Sequence, residues 1–184
     1  MPKTLPENAT PASRKLYDLA VRLANACPPA FASEIALVGS ASMGLSDDQS
    51  DLDINFWADT IPPEAERVAW LQSLGATNVN IGATRADQSY PLAGVLDGVD
   101  VGCSWQTHEA LAGYVTMITQ GALEAGEAQL STLVDVLVQA VPVRSTGKIE
   151  AIQAQLETYP EALRQPLILQ KVSAIQAQFK QMPK

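Results

Sequence analysis

EIALVGSASMGLSDDQSDLDINFWAD, residues 34–59, holds the pattern on which the reading of this fold turns. An apolar run ends at Gly39-Ser40, a polar segment follows, and a second apolar run carries Asp51 and Asp53 at i and i+2. Alternate residues of a strand share a face, so Asp51, Asp53, Asn55 and Trp57 point one way and Leu52, Ile54 and Phe56 the other. Two carboxylates on one face of a half-buried strand repel each other and lose hydration, so a compensating partner is required.

Upstream, TPASRKLYDLAVRLANAC (10–27) predicts an amphipathic helix. Thr10 is its N-cap, Pro11 takes the first helical position, and Leu16, Leu19, Ala20, Leu23 and Cys27 recur at helical spacing. Residues 1–9 are expected to form a flexible tail. Downstream, TIPPEAERVAWLQSLGA (60–76) reads as a helix that stops at Gly75. Strand patterns return over 77–105, with Leu96-Asp97-Gly98-Val99 as a hairpin turn leading into VDVGCSW (99–105). After Thr107 the pattern is helical to the end, in stripes that include Leu130 and Leu133; Pro160 restarts a last helix, which Pro166 kinks. The expected fold class is α+β (α/β), a small mixed sheet flanked by helices over 10–106 with a C-terminal helical region over 107–184.

The 184 residues are 47% hydrophobic and 17% charged, a composition able to bury a core. A net charge of −8 argues against a broad phosphate-backbone surface, so nucleic acid is disfavoured as a partner. Two cysteines, Cys27 and Cys103, are too few and too separated for a disulfide framework or a zinc site. The opening MPKTLPENATPASRK has no apolar core, and no apolar run reaches ~18 residues, so a soluble cytoplasmic protein without membrane association is expected.

Several chemistries compete for the Gly-Ser stretch. GSASMGLS has the two glycines of a phosphate loop, Gly39 and Gly44, but Leu45 stands at the lysine position. A serine-hydrolase order of Ser42, Asp97 or Asp100, and His108 lacks the first elbow glycine, which is Ser40. Asp47, Asp48, Asp51 and Asp53 lack the glycine and glutamate of a calcium loop. What remains is a metal site. Asp51 and Asp53 can share divalent cations, and Asp100, on the apolar strand GVDVG, can complete a three-carboxylate cluster that Mg²⁺ neutralises and bridges to a polyphosphate. Gly39 and Ser40 would present backbone N–H groups and a hydroxyl to the phosphates. Asp47, Asp48 and Asp97 read as solvated turn residues, and Trp57, Trp70 and Trp105 as core or sheet-face residues. Arg85 and Arg144 read as surface charges that could meet a phosphate.

The ordered set of LVGSASMG, SDLDI and GVDVGCSW resembles the DNA polymerase β-like nucleotidyltransferase superfamily, which includes the aminoglycoside-antibiotic nucleotidyltransferases. The resemblance extends to a group of bacterial nucleotidyltransferase-domain proteins through PPEAER with LGA (62–76) and GKI with LETYPEAL (147–163), and covers residues 10–175. It implies a Mg²⁺-dependent enzyme, with two ions and Mn²⁺ as a substitute, that transfers a nucleoside monophosphate to a hydroxyl and releases pyrophosphate. ATP is the favoured nucleotide and AMP the group transferred; a small molecule or a protein would accept it, and a homodimer is among the assemblies considered. Gly39, Ser40 and Ser50 would contact the triphosphate, Asp51 and Asp53 would bind Mg²⁺, and Asp100 would complete the metal site or deprotonate the acceptor. This chain has VRST where relatives often carry an acidic residue before the glycine matching Gly147, and it stops at Lys184 where many continue with more helix. The alternative reading is a non-catalytic nucleotide-binding or protein-interaction module on the same fold.

Overall fold

The structure is a computed structural model that describes residues 3–85, 87–120, 128–158 and 172. The expected last helix from Pro160, with its kink at Pro166, lies outside the described residues, as do the side chains of Leu130 and Leu133.

Helix α1 (Pro11–Ala26) begins as its sequence predicts: Thr10 is extended, and its Oγ1 accepts the Ser13 amide at 3.1 Å. Strand β1 (Glu34–Val38), buried throughout, runs into a single helical turn, α2 (Gly39–Ser42). The chain returns antiparallel as β2 (Leu52–Ala58), with Val38 opposite Asp53. Helix α3 (Glu64–Ser73) follows the Pro62-Pro63 pair. Strand β3 (Thr77–Ile81) pairs with β4 (Tyr90–Leu96), which turns at Asp97-Gly98 into β5 (Val99–Thr107). β5 lies parallel to β2, with Gly102 opposite Asp53. Helices α4 (His108–Gln120) and α5 (Ala128–Gln139), strand β6 (Val141–Arg144) and helix α6 (Lys148–Gln155) complete the described chain. The strand order β3-β4-β5-β2-β1-β6 makes one six-stranded mixed sheet, the α+β class expected. Among the described residues no helix is long and apolar enough to cross a membrane.

Strand β6 corrects the expectation that everything after Thr107 is helical. Its four residues, which include Pro142, are too few to show a period of two; pairing with β1 at the sheet edge, where a missing N–H is tolerated, makes them a strand. Residues 3–9 also depart from the loose tail expected. Leu5 packs against the core and Ala9 is buried, because the chain at Gly44 closes on them and the Thr10 amide donates to the Gly44 carbonyl at 3.1 Å.

The two faces of the sheet carry separate cores. On one, α1 and α3 cover Leu37, Ile54, Phe56 and Trp105; Phe56 stacks on Trp105 at 4.3 Å, and Trp70 meets both edge-on at 5.6 and 5.8 Å. On the other, Ala36, Val38 and Trp57 pack against α4, α5 and α6. All three tryptophans are therefore core residues, as expected. Both cysteine thiols are buried and unpaired, and burial pushes Cys27 up to about 11.

Arg144, half-buried, and Glu34, fully buried, tie β6 and the turn after it to the first elements of the chain. Arg144 donates to the carbonyls of Ala32 at 3.0 Å and Cys27 at 2.8 Å and also to that of Ala24, so it serves the last turn of α1 rather than a phosphate. Glu34 is fully buried and accepts the Thr146 amide at 2.6 Å, the Ser145 hydroxyl at 2.8 Å, the Ile149 amide at 3.3 Å and the Thr146 hydroxyl. Burial pushes its carboxyl up, but these hydrogen bonds together outweigh burial and hold it below the ordinary range. A depressed carboxyl contributes stability at neutral pH and loses it as pH falls through its folded value. Glu34→Gln is expected to cost about 1–3 kcal/mol at pH 7. The gap should close near pH 3 in urea titrations; an equal loss at both pH values would assign the effect to packing.

Candidate active site

Asp53 sits where three elements meet. It is the second residue of β2, between Val38 of β1 and Gly102 of β5, and β1 turns into α2 at the adjoining Gly39. Its carboxylate occupies space that side chains on both glycines would need. A Cβ on Gly39 would lie 2.7 Å from Asp53 Oδ2, and one on Gly102 would lie 2.9 Å from Oδ1. Gly39 also has a φ of +70°, a left-handed conformation that costs glycine little. Gly102 is absent from the residues expected of the site, yet a glycine inside the strand pattern VDVGCSW is a readable mark of close backbone approach.

Partial burial raises the Asp53 carboxyl above its ordinary range, the Asp51 charge raises it further, and Arg85 works against both. Asp51 is exposed, two residues earlier and on the same side. A half-buried and an exposed carboxylate at i and i+2 fit a hard divalent cation, which accepts one or two carboxylates and takes its remaining oxygens from water and phosphate.

Asp100 precedes the Val101 that pairs with Leu52, so it is level with Asp51 and shares the face of Gly102. It is exposed. Among the described residues, no three His, Cys, Asp or Glu side chains stand close enough together to hold a metal ion. The three-carboxylate cluster expected from the sequence is thus not preassembled. Asp51 and Asp100 are both open to water, and like charges with access to water gain by hydrating separately.

The turn after β1 is stapled to α1. Thr10 Oγ1 donates to the Ser46 carbonyl at 2.6 Å, the Ser46 amide donates to Ser13 Oγ at 2.9 Å, and Ser40 and Ser46 share a hydrogen bond of 3.0 Å. Sequence reading assigned Thr10 only a capping role, and no local signal announces this contact. Ser50 donates to Asp47 Oδ1 at 2.9 Å, which also accepts the Gln49 amide at 3.0 Å, so Asp47 is the turn residue expected and Ser50 is engaged with it. Asp97 lies in its hairpin turn, paired with Arg22. Ser42 donates to the Gly39 carbonyl at 2.9 Å, while His108 shares a 2.9 Å hydrogen bond with Ser33, which precedes β1 where Ser42 follows it. The hydrolase order is therefore split between the two ends of one strand. Cavities of about 380 and 430 Å³ occur elsewhere on the surface, and neither aspartate of the pair lines them.

No family model and no curated protein matches the chain. Solved structures do. The Cid1 poly(U) polymerase with Mg 3′-dATP bound matches at a TM-score of 0.40 and 15% identity, over 73% of this chain and 41% of that one. The same polymerase with MgGTP bound matches at 0.39 and 17%, over 71% and 41%. A cytoplasmic RNA terminal U-transferase matches at 0.37 and 18%, over 73% and 38%. The chain thus spans about two fifths of the length of these proteins.

Proposed function

We propose that this chain is a Mg²⁺-dependent nucleotidyltransferase that moves a nucleoside monophosphate, AMP from ATP, onto an acceptor hydroxyl and releases pyrophosphate. One observation carries the reading: the Asp53 carboxylate lies close against two glycine positions beside Asp51, at the turn where β1 enters α2. A carboxylate that burial and a like charge both disfavour has no structural reward unless a ligand uses it. Asp51 and Asp53 would hold the metal, as a pair of Mg²⁺ ions or of Mn²⁺ in their place. When bound, the metal supplies positive charge for the polyphosphate oxygens. Gly39, Ser40 and Ser50 would face the triphosphate; the absence of a side chain at Gly39 lets phosphate approach the backbone. Asp100, on the neighbouring strand and the same face, would take the proton of the acceptor hydroxyl or serve as a further ligand.

Calorimetry with ATP, UTP, GTP and CTP, each in Mg²⁺ and in EDTA, tests the site. Pyrophosphate release with aminoglycosides, a protein substrate mixture and short RNA tests the transfer. The expected result is binding that needs Mg²⁺ and an acceptor whose mass grows by one nucleotide unit. Equal affinity in EDTA would remove the metal site, and binding without release on any acceptor would leave a nucleotide-binding module.

A further inference from the structure

The cavity of about 380 Å³ lies between the start of α3 and the β3–β4 pair. It belongs to the sheet face that α3 covers: Arg67 packs beside Trp105 of that core, whereas Asp53 alternates to the opposite face. Ile61, Pro62, Ile81, Tyr90 and Pro91 line it, and among its described lining residues Arg67 is the one cation and Glu64 the one acid. No residue assigned to the candidate active site reaches it.

Arg67 is only 3% exposed, a place where arginine is rarely found unless a carboxylate closes on it. None does: no ion pair among the described residues includes Arg67. Its Nε donates to the Pro62 carbonyl at 3.1 Å and its Nη1 to the Tyr90 carbonyl at 3.2 Å. The guanidinium carbon stands 5.7 Å from the Tyr90 ring centre and 5.4 Å from that of Trp105. These contacts fix the group and offset part of the cost of burying it, but they are all neutral. Nη2 has no partner among the described residues. Trp105 Nε1 is the one sealed side-chain nitrogen or oxygen there that lacks a hydrogen bond, so Nη2 is not sealed. It meets solvent, and the cavity is where Arg67 reaches solvent. Glu64, three positions earlier on α3, is exposed on the same cavity wall.

We propose that this cavity binds a carboxylate carried on a compact apolar group, with the carboxylate on Arg67 Nη2 and the apolar group against Ile61, Ile81 and Pro91. A guanidinium held by two carbonyls has a defined orientation, and its free N–H groups match carboxylate oxygens. Charge selects the class of anion. The single cation on the wall balances one negative charge, whereas a phosphate dianion would bring a second one beside Glu64 with no cation to meet it. The apolar lining favours a hydrocarbon body over a polar one. A free acid and the last residue of a polypeptide both offer this chemistry. The site lies on the other face of the sheet from Asp53 and stands whether or not the nucleotidyl-transfer reading holds.

The test titrates isocaproate, its neutral amide and inorganic phosphate into the whole protein and follows the backbone amide resonances of Gly82 and Thr84, both on the cavity wall, and the Nε–H of Arg67. Isocaproate is expected to bind saturably and about 10-fold or more tightly than either control. Glu64→Gln, at an exposed position, should tighten isocaproate about two- to fivefold by removing the like charge from the wall. Arg67→Gln should weaken it about 10-fold; if that variant does not fold, the amide control and Glu64→Gln decide. Acetyl-Gly-Leu, with its carboxyl free or amidated, separates the sources. Tighter binding of the free peptide than of isocaproate assigns the cavity to a polypeptide terminus, weaker binding assigns it to a free acid, and both results keep the carboxylate site. Equal affinity for isocaproate and its amide, phosphate binding as tight as isocaproate, resonances that do not move, or weaker binding in Glu64→Gln would each overturn it.

Discussion

Asp53→Asn is expected to abolish Mg²⁺-dependent nucleotide binding and to lower turnover on the order of 10³-fold while leaving the free protein at least as stable as the wild type. The substitution keeps the shape that fits against Gly39 and Gly102 and removes only the charge. Burial and the Asp51 charge raise the Asp53 carboxyl, so its ionised form is disfavoured in the folded state. A raised carboxyl contributes stability that is present at acid pH and lost as pH rises through its folded value, the reverse of Glu34. The variant should therefore gain in melting temperature at pH 7, and the gain should vanish toward pH 3. Calorimetry in Mg²⁺ and EDTA, with melting at both pH values, checks all three points. Asp100→Asn is the contrasting variant: if Asp100 takes the acceptor's proton, binding persists and turnover alone is lost. A large fall in melting temperature for Asp53→Asn would show that the carboxylate holds the fold, and the catalytic reading of it would fail.

Gly39→Ala should disable the same site by geometry. The added Cβ would stand 2.7 Å from Asp53 Oδ2 and 3.3 Å from its Cβ, so the carboxylate must move or α2 must shift. The φ of +70° adds about 1–2 kcal/mol of backbone strain. A displacement of a few tenths of an ångström to an ångström in a metal-binding carboxylate costs on the order of 10²-fold in turnover. Gly98→Ala separates the two causes: Gly98 has a φ of +79° with no atom within 4 Å of an added Cβ, so it carries the strain without the clash. The expected pattern is a similar modest loss of melting temperature in both variants, and lost nucleotide affinity in Gly39→Ala only. Equal affinity in the two variants would mean that the tight fit of Asp53 against Gly39 does not matter to binding.

Much of this protein was open to reading from the sequence alone. The Thr10-Pro11 cap, the Asp97-Gly98 turn and the Asp-x-Asp alternation are local signals: each is set by the conformational preferences of residues within a few positions, and the structure shows each where the pattern placed it. Strand β6 was beyond reach because four residues with a proline have no period of their own, and only the exposed ladder of β1 makes them a strand. The same holds for buried Glu34 and for Arg144, whose partners lie more than a hundred residues away in sequence. At the site, alternation could say that Asp51, Asp53 and Asp100 share a face. It could not say that Gly102 stands opposite Asp53 or that Asp100 remains exposed. Periodicity reports which way a side chain points. Register and loop anchoring decide what it meets, and those are settled only when distant strands pair.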